Sequence, residues 1–293
     1  MKYFLIILIP FFLFTAPTPP NRTSCYPLLS GDAFRELADH VYDELNQSLN
    51  PLDVQSEGVI FVKTDLLQSF FETIHPFIQH SYILISHNSD GACPGVFHPY
   101  LEDEKLIAWL GQNYDGFPHP KMHPIPIGIA NYCWEHGNGF VLQEVVKEPI
   151  EKTYLLHMCF STHTYGSERI PLYHKFLSKS YCKRAHKAPF KNYLKTLKQA
   201  EFTLSPRGNG LDTHRLWESL YVGTIPIVKS STLDPLYEDL PVLIIQDWNL
   251  LNKNLIEEKK KEIQSKTYNM KKLHMDYWKD KIEHLKKRAD SPI

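Results

Sequence analysis

What most restricts the fold of this chain is a pair of series in which short apolar runs alternate with amphipathic stretches. In the first series, Gly58–Lys63 (GVIFVK), Tyr82–Ser86 (YILIS), Leu106–Leu110 and Ile125–Ile129 read as strands. Residues 31–49, with Phe34, Leu37, Val41 and Leu45 on one face, and residues 65–79 read as helices. In the second series, Thr153–Phe160, Phe202–Leu204, Ile225–Val228 and Val242–Ile245 read as strands. Phe190–Ala200 and Asp212–Val222 read as helices, the latter with Leu216, Trp217, Leu220 and Tyr221 on its apolar side. Between the two series, Tyr132–Glu151 reads as a crossover or linker. Such alternation predicts βαβ units around parallel sheets, in a two-domain, doubly wound α/β architecture. Ligands are then expected at strand C-terminal ends and in the interdomain cleft. The expected limits are 25–135 for the N-terminal domain, 150–252 for the C-terminal domain and 253–293 for a Lys-rich helical tail.

The 293 residues carry a formal charge of -1, so no global basic field recruits nucleic acid. The tail's lysines alternate with Glu257, Glu258, Glu262, Asp276, Asp280 and Glu283, the pattern of a solvated helix face. Trp278, Ile282 and Leu285 would form its buried stripe. The five cysteines are odd in number and scattered, which argues against a disulfide framework and leaves an isolated bridge open for an exported chain. Residues 1–20 are expected to be a signal peptide or membrane anchor: Lys2 precedes an apolar run to Phe14, then a small, Pro-rich stretch. The run is shorter than the ~20 residues that a spanning helix needs. Membrane association through residues 2–16 is an expectation of this reading, with the protein then on a membrane or in the secretory pathway (a Golgi-type lumen in a eukaryote, the cell envelope in a bacterium).

The sharpest chemical signal is 201–228. A short strand ends in Ser205-Pro206, the segment Arg207-Gly208-Asn209-Gly210 turns, and a helix opens near Asp212. A Gly-rich turn feeding a helix N-terminus offers unpaired N–H groups and a favourable dipole to an anion. Gly208 and Gly210 would allow close approach of the backbone. Arg207 and Arg215 flank the turn, and guanidinium forks match phosphate oxygens. Arg215 has the alternative of pairing with Asp212 at i, i+3. Glu218 lies on the following helix, where its carboxylate suits ribose hydroxyls; a salt bridge to Arg215 or solvent exposure is the alternative.

The run SPRGNGLDTHRLWESLYVGTIPIV, followed by Asp234-Pro235-Leu236-Tyr237, resembles the C-terminal half of exostosin-like glycosyltransferases. The segments FVKTDLL, YILISHNSD, IAWLGQN and KMHPIPIGIAN look like the N-terminal half of a bacterial-type branch of that group. The resemblance implies a GT-B arrangement of two facing Rossmann-like domains, with the donor held on the C-terminal one. It implies that Arg207 and Arg215 contact the diphosphate and Glu218 the ribose. Arg169 matches a family arginine near the diphosphate, or else is a surface charge before Pro171. His214 adjoins the turn as a possible donor to phosphate.

The implied reaction moves a sugar from a nucleotide-sugar donor to a glycan or other hydroxyl acceptor, by an inverting route with no metal and no other cofactor. Arginines and helix amides can stabilise the leaving phosphates in place of a metal, and there is no convincing Asp-x-Asp motif. An inverting transfer needs a base on the acceptor side. Asp90 and His87, in the polar loop after the YILIS strand, are the candidates; the same loop also reads as a plain turn. The alternative function is a non-catalytic nucleotide- or glycan-binding protein on the same fold.

Overall fold

The computed structural model describes residues 22–289; the expected signal or anchor segment, 1–20, lies outside them. Two parallel sheets of five strands each form the mixed α/β frame. The N-terminal sheet contains β1 (His40–Tyr42), β2 (Gly58–Lys63), β3 (Tyr82–His87), β4 (Leu106–Gly111) and β5 (Met122–Pro124), in that spatial order. Helices α1 (Gly31–Glu36) and α2 (Leu67–Thr73) belong to this half. β2 to β4 are nearly continuous apolar runs, as expected for strands covered on both faces.

Helix α3 (Gly139–Lys147) lies between the halves. The C-terminal sheet contains β6 (Tyr154–Met158), β7 (Cys182–Arg184), β8 (Ala200–Leu204), β9 (Ile225–Lys229) and β10 (Leu243–Ile245), in the order β10-β9-β8-β6-β7. Its helices are α4 (Gly166–Leu177), α5 (Phe190–Lys198) and α6 (His214–Tyr221), followed by α7 (Lys253–Gln264) and α8 (Met275–Ala289). Strand order reverses between β6 and β8, which are direct neighbours although β7 intervenes in the chain. That reversal is a topological switch point, and ligands of open α/β sheets collect outside the strand carboxyl ends there.

Four local expectations change. The helix expected over 31–49 stops at Glu36, because Asp39 donates its N–H to Val59 O and accepts from Val59 N through its carboxylate, turning the chain into the sheet. His40, Val41 and Tyr42 then pair with Ile60, Phe61 and Val62. The expected strand at Ile125–Ile129 is displaced to Met122–Pro124, since Pro126 has no N–H for a ladder and Ile127 N is bonded to Asp212 instead. The stretch read as linker contains α3, capped by Asn138. The tail is two helices, and Met275 N donates to Pro27 O where the second begins. Helix α4 was not read from the sequence because Pro171 lies inside it.

The largest apolar cluster joins both halves. It packs Phe34, Phe61 and Ile85 with Leu216 and Trp217 of α6 and with Trp278 and Ile282 of α8. The stripe expected on the tail is therefore buried, with Leu285 at its edge, and it closes back on the N-terminal half. Among the described residues no helix is long and apolar enough to cross a membrane.

Candidate functional site

At the switch point, the loops leaving β6 and β8 are tied together by one side chain. Arg169, in the first turns of α4, is buried and uses four of its five N–H groups. Its Nε donates to Arg207 O at 2.7 Å and its Nη2 to Pro206 O at 3.2 Å. Its Nη1 donates to Ser161 O at 3.0 Å and to the Thr164 hydroxyl. Burial, and next the nearby Arg215 charge, lower its pKa to about 10. Arg169 is thus no surface charge. It fixes the backbone of the turn, and most of its donors are already taken.

Arg207 stacks its guanidinium 4.2 Å from the Tyr165 ring and, among the described residues, bonds only to the Gly208 and Asn209 carbonyls. Tyr165 stands in the left-handed region, φ 47°, at the start of α4. Arg215 lies over the Phe160 ring at 6.0 Å, and its Nε is buried with no hydrogen-bond partner. The arginine–carboxylate ion pairs among the described residues involve Arg22 and Arg35. The Arg169 and Arg215 charges act on one another, Arg169 holds the Arg207 backbone, and among the described residues none of the three has a carboxylate in ion-pair reach. Thr213 occupies the N-cap position of α6 but makes no cap bond; its hydroxyl meets Ser205 Oγ at 2.9 Å. The helix start keeps N–H groups that this side chain does not satisfy. A cavity of about 170 Å³ opens here, lined by Tyr165, Glu168, Arg207, Thr213, Ser230 and Ser231 among others.

Glu218 is neither exposed nor bonded to Arg215. It is 3% exposed and accepts from the Tyr193 hydroxyl at 2.9 Å. Burial raises its pKa to about 7, against the lowering effects of Tyr193 and the Arg215 charge. The buried His157 sits in the same region, with its Nε2 unpartnered.

Asp212 is committed elsewhere. Its carboxylate accepts from Ile127 N, Trp217 Nε1 and Thr213 N, each at 2.8 Å, and from the Tyr237 hydroxyl at 3.5 Å. Its own amide donates to Asn113 Oδ1 at 3.0 Å. Both groups brace the two halves together, so neither its amide nor its carboxylate is free for phosphate, and the alternative read for Arg215, an i, i+3 pair with Asp212, does not form among the described residues. Burial holds its pKa up at about 6. Gly210 also serves this junction: a Cβ there would meet Asn113 Nδ2 at 2.7 Å. Gly208, in contrast, would bring a Cβ to 3.4 Å from Arg169 Nη2.

A larger cleft of about 1380 Å³ lies between the halves, lined by His87, Asn88, Asp90, Gln112, Trp134 and His214 among others. Asp90 is exposed, and its Oδ2 accepts from Asn209 Nδ2 at 3.3 Å across the cleft. The structure therefore brings the expected acceptor-side carboxylate against the Gly-rich turn. His87 does not fit the part expected of it. Its Nε2–H donates to Pro126 O at 3.0 Å, and Nδ1 accepts from Asn88 N at 2.7 Å. Stacked on Phe34 and pushed down to about 4 by burial, it has no nitrogen left for a substrate proton. His214 lines the cleft rather than the smaller cavity, and its Nδ1 bonds Gly128 O at 2.8 Å.

Four contributors were not read from the sequence: Tyr165, Phe160, Tyr193 and Asn113. Each acts through a contact between segments far apart in the chain. A polar or aromatic residue just beyond a strand end was the available cue for the first two and for Asn113. Tyr193, inside α5, carried no such cue.

The family model described as the RXYLT1 C-terminal domain matches residues 173–289, less than half of the chain. It includes Arg207, Arg215 and Glu218 and excludes Arg169 and the N-terminal half. That family is related to the exostosin-like glycosyltransferases. No curated protein sequence matches the chain. Among solved structures, a chain of a GtfA/B complex is 10% identical over 80% of this chain and 55% of that one, with a TM-score of 0.37. The present chain thus spans about half the length of that relative. An alpha-glucosyltransferase in complex with UDP-glucose and DNA containing an abasic site is also 10% identical. That match covers 79% of this chain and 75% of the other, with a TM-score of 0.31.

Proposed function

We propose that this chain transfers a sugar from a nucleoside-diphosphate donor, held on its C-terminal half, to a hydroxyl acceptor that enters the cleft. The observation that carries this reading is the group of Arg169, Arg207 and Arg215 at the switch point, with no carboxylate in ion-pair reach among the described residues. Unbalanced guanidinium charge beside a helix N-terminus is a demand for an anion. A diphosphate meets it, and its leaving-group charge grows as the glycosidic bond breaks. In this reading Arg207 and Arg215 touch the phosphates, while Arg169 holds the turn that presents Arg207. Gly208 and Asn209 shape the turn, and Glu218 with Tyr193 receives the ribose. The arginines supply the positive charge, so transfer proceeds without a metal. The acceptor hydroxyl attacks from the Asp90 side, opposite the leaving group, which inverts the anomeric centre. Anchoring through residues 2–16 in a secretory or envelope compartment belongs to the same proposal.

Thermal shift tests the donor site. UDP or GDP should raise Tm where inorganic phosphate does not, and Arg207→Ala should abolish the rise while the protein stays folded. No response to either nucleotide, or a full response in Arg207→Ala, defeats the assignment. Binding with no nucleotide-sugar turnover would instead mark a non-catalytic binding protein.

A further inference from the structure

His214 opens α6, yet its ring serves the cleft. Its Nδ1 lies 2.8 Å from Gly128 O, and a carbonyl oxygen can only accept, so Nδ1 carries a proton. Gly128 has φ +67°, and a Cβ there would meet Leu29 O at 2.3 Å, so this carbonyl is held by packing that only glycine permits. A neutral imidazole has one N–H. With Nδ1 protonated, Nε2 presents a lone pair, and it makes no hydrogen bond among the described residues. His87 is the contrast on the same cleft, with both nitrogens occupied.

Four neighbours set the charge on this ring. Burial lowers its pKa to about 4, helped by His136 and Arg215; the Gly128 carbonyl and Asp90 act the other way. The His136 ring stands 6.2 Å away at 62°. Arg22, Glu44, Lys63 and Asp65 also line the cleft. The ring is therefore neutral across the physiological range, and a neutral Nε2 cannot donate to phosphate as the sequence suggested. It can accept.

We infer that His214 Nε2 receives the proton of the acceptor hydroxyl during transfer, with Asp90 steadying the imidazolium that forms. This rests on the donor site proposed above. The acceptor oxygen bonds to the anomeric carbon as its proton passes to Nε2. The bond from the anomeric carbon to the phosphate oxygen breaks, and its electron pair leaves with the nucleoside diphosphate towards Arg207 and Arg215. The imidazolium then returns its proton to solvent through the open cleft. General-base assistance of this kind contributes roughly 10²–10⁴-fold. Water can replace the acceptor along the same route, so hydrolysis of nucleotide sugars reports on the step without knowledge of the natural acceptor.

Two measurements test it on the whole protein. Diethyl pyrocarbonate at pH 7, followed by peptide mapping, should acylate His214 along with the exposed His163 and His186, and should spare His87. His214→Gln should slow release of nucleoside diphosphate from UDP- and GDP-sugars by about 100-fold or more, while the UDP- or GDP-induced rise in Tm persists. The wild-type rate should fall only below about pH 4, and Asp90→Asn should move that limb lower still, because Asp90 raises the proton affinity of the ring. His214 left unmodified while His163 and His186 react, or His214→Gln turning over within threefold of wild type, overturns the inference. Loss of the wild-type nucleotide response defeats the donor site itself, and the inference with it.

Discussion

Arg215→Met separates a ligand-binding arginine from a structural one by the sign of its effect on stability. In the ligand-free protein Arg215 makes no ion pair among the described residues, and its buried Nε has no acceptor. An unmet buried donor costs about 1–3 kcal/mol. Methionine retains the aliphatic stem and the contact with the Phe160 ring, and removes both the charge and the donor. Ligand-free stability should therefore hold or rise by about 1 kcal/mol, where most buried substitutions lower it. The effect on nucleotide binding should be opposite. A charge-assisted bond to phosphate is worth about 1.5–3 kcal/mol, so the Kd for UDP or GDP should weaken by roughly 10- to 150-fold. Urea unfolding gives the first quantity and titration calorimetry the second. Because the Arg215 charge lowers the pKa of Glu218, the carboxyl should also titrate higher in the variant. A variant destabilised by more than about 2 kcal/mol with unchanged nucleotide affinity would refute the reasoning and make Arg215 a structural residue.

Arg169→Met should behave in the opposite way: it strips four bonds from the two loops and should cost about 3–5 kcal/mol in urea unfolding, with nucleotide affinity falling too. An undiminished midpoint would show that the turn holds itself. Glu218→Gln tests the buried carboxyl. Its folded pKa of about 7 exceeds the unfolded value, so the stability it contributes is complete below about pH 4.5 and is lost as pH rises through about 7. The glutamine variant should thus gain on wild type between pH 4.5 and pH 8, by up to about 3 kcal/mol, and parallel stability–pH curves would sink this account.

How much was legible depended on whether a residue acts within its own segment. The strands YILIS and GVIFVK are read from composition because each is covered on both faces whatever its neighbours are. The SPRGNG turn and the arginines beside it were legible for the same reason: turn chemistry and helix starts are local. The site residues that changed meaning act across the junction. Asp212 looked like part of a phosphate turn until Ile127, Trp217 and Tyr237 were seen to converge on its carboxylate. His87 looked like a base until Pro126 and Asn88 occupied both of its nitrogens. His214 looked like a phosphate donor until a carbonyl 86 residues away settled which nitrogen holds the proton.

By itself, then, the sequence determined the two α/β series and the position of the Gly-rich turn and its arginines, since hydrophobic period and backbone permissiveness are properties of short stretches. The tertiary structure alone decided which charges are left without a partner and which proton sits on which nitrogen. Both depend on atoms brought within about 3 Å from distant parts of the chain, and a hydrogen bond has no reach beyond that.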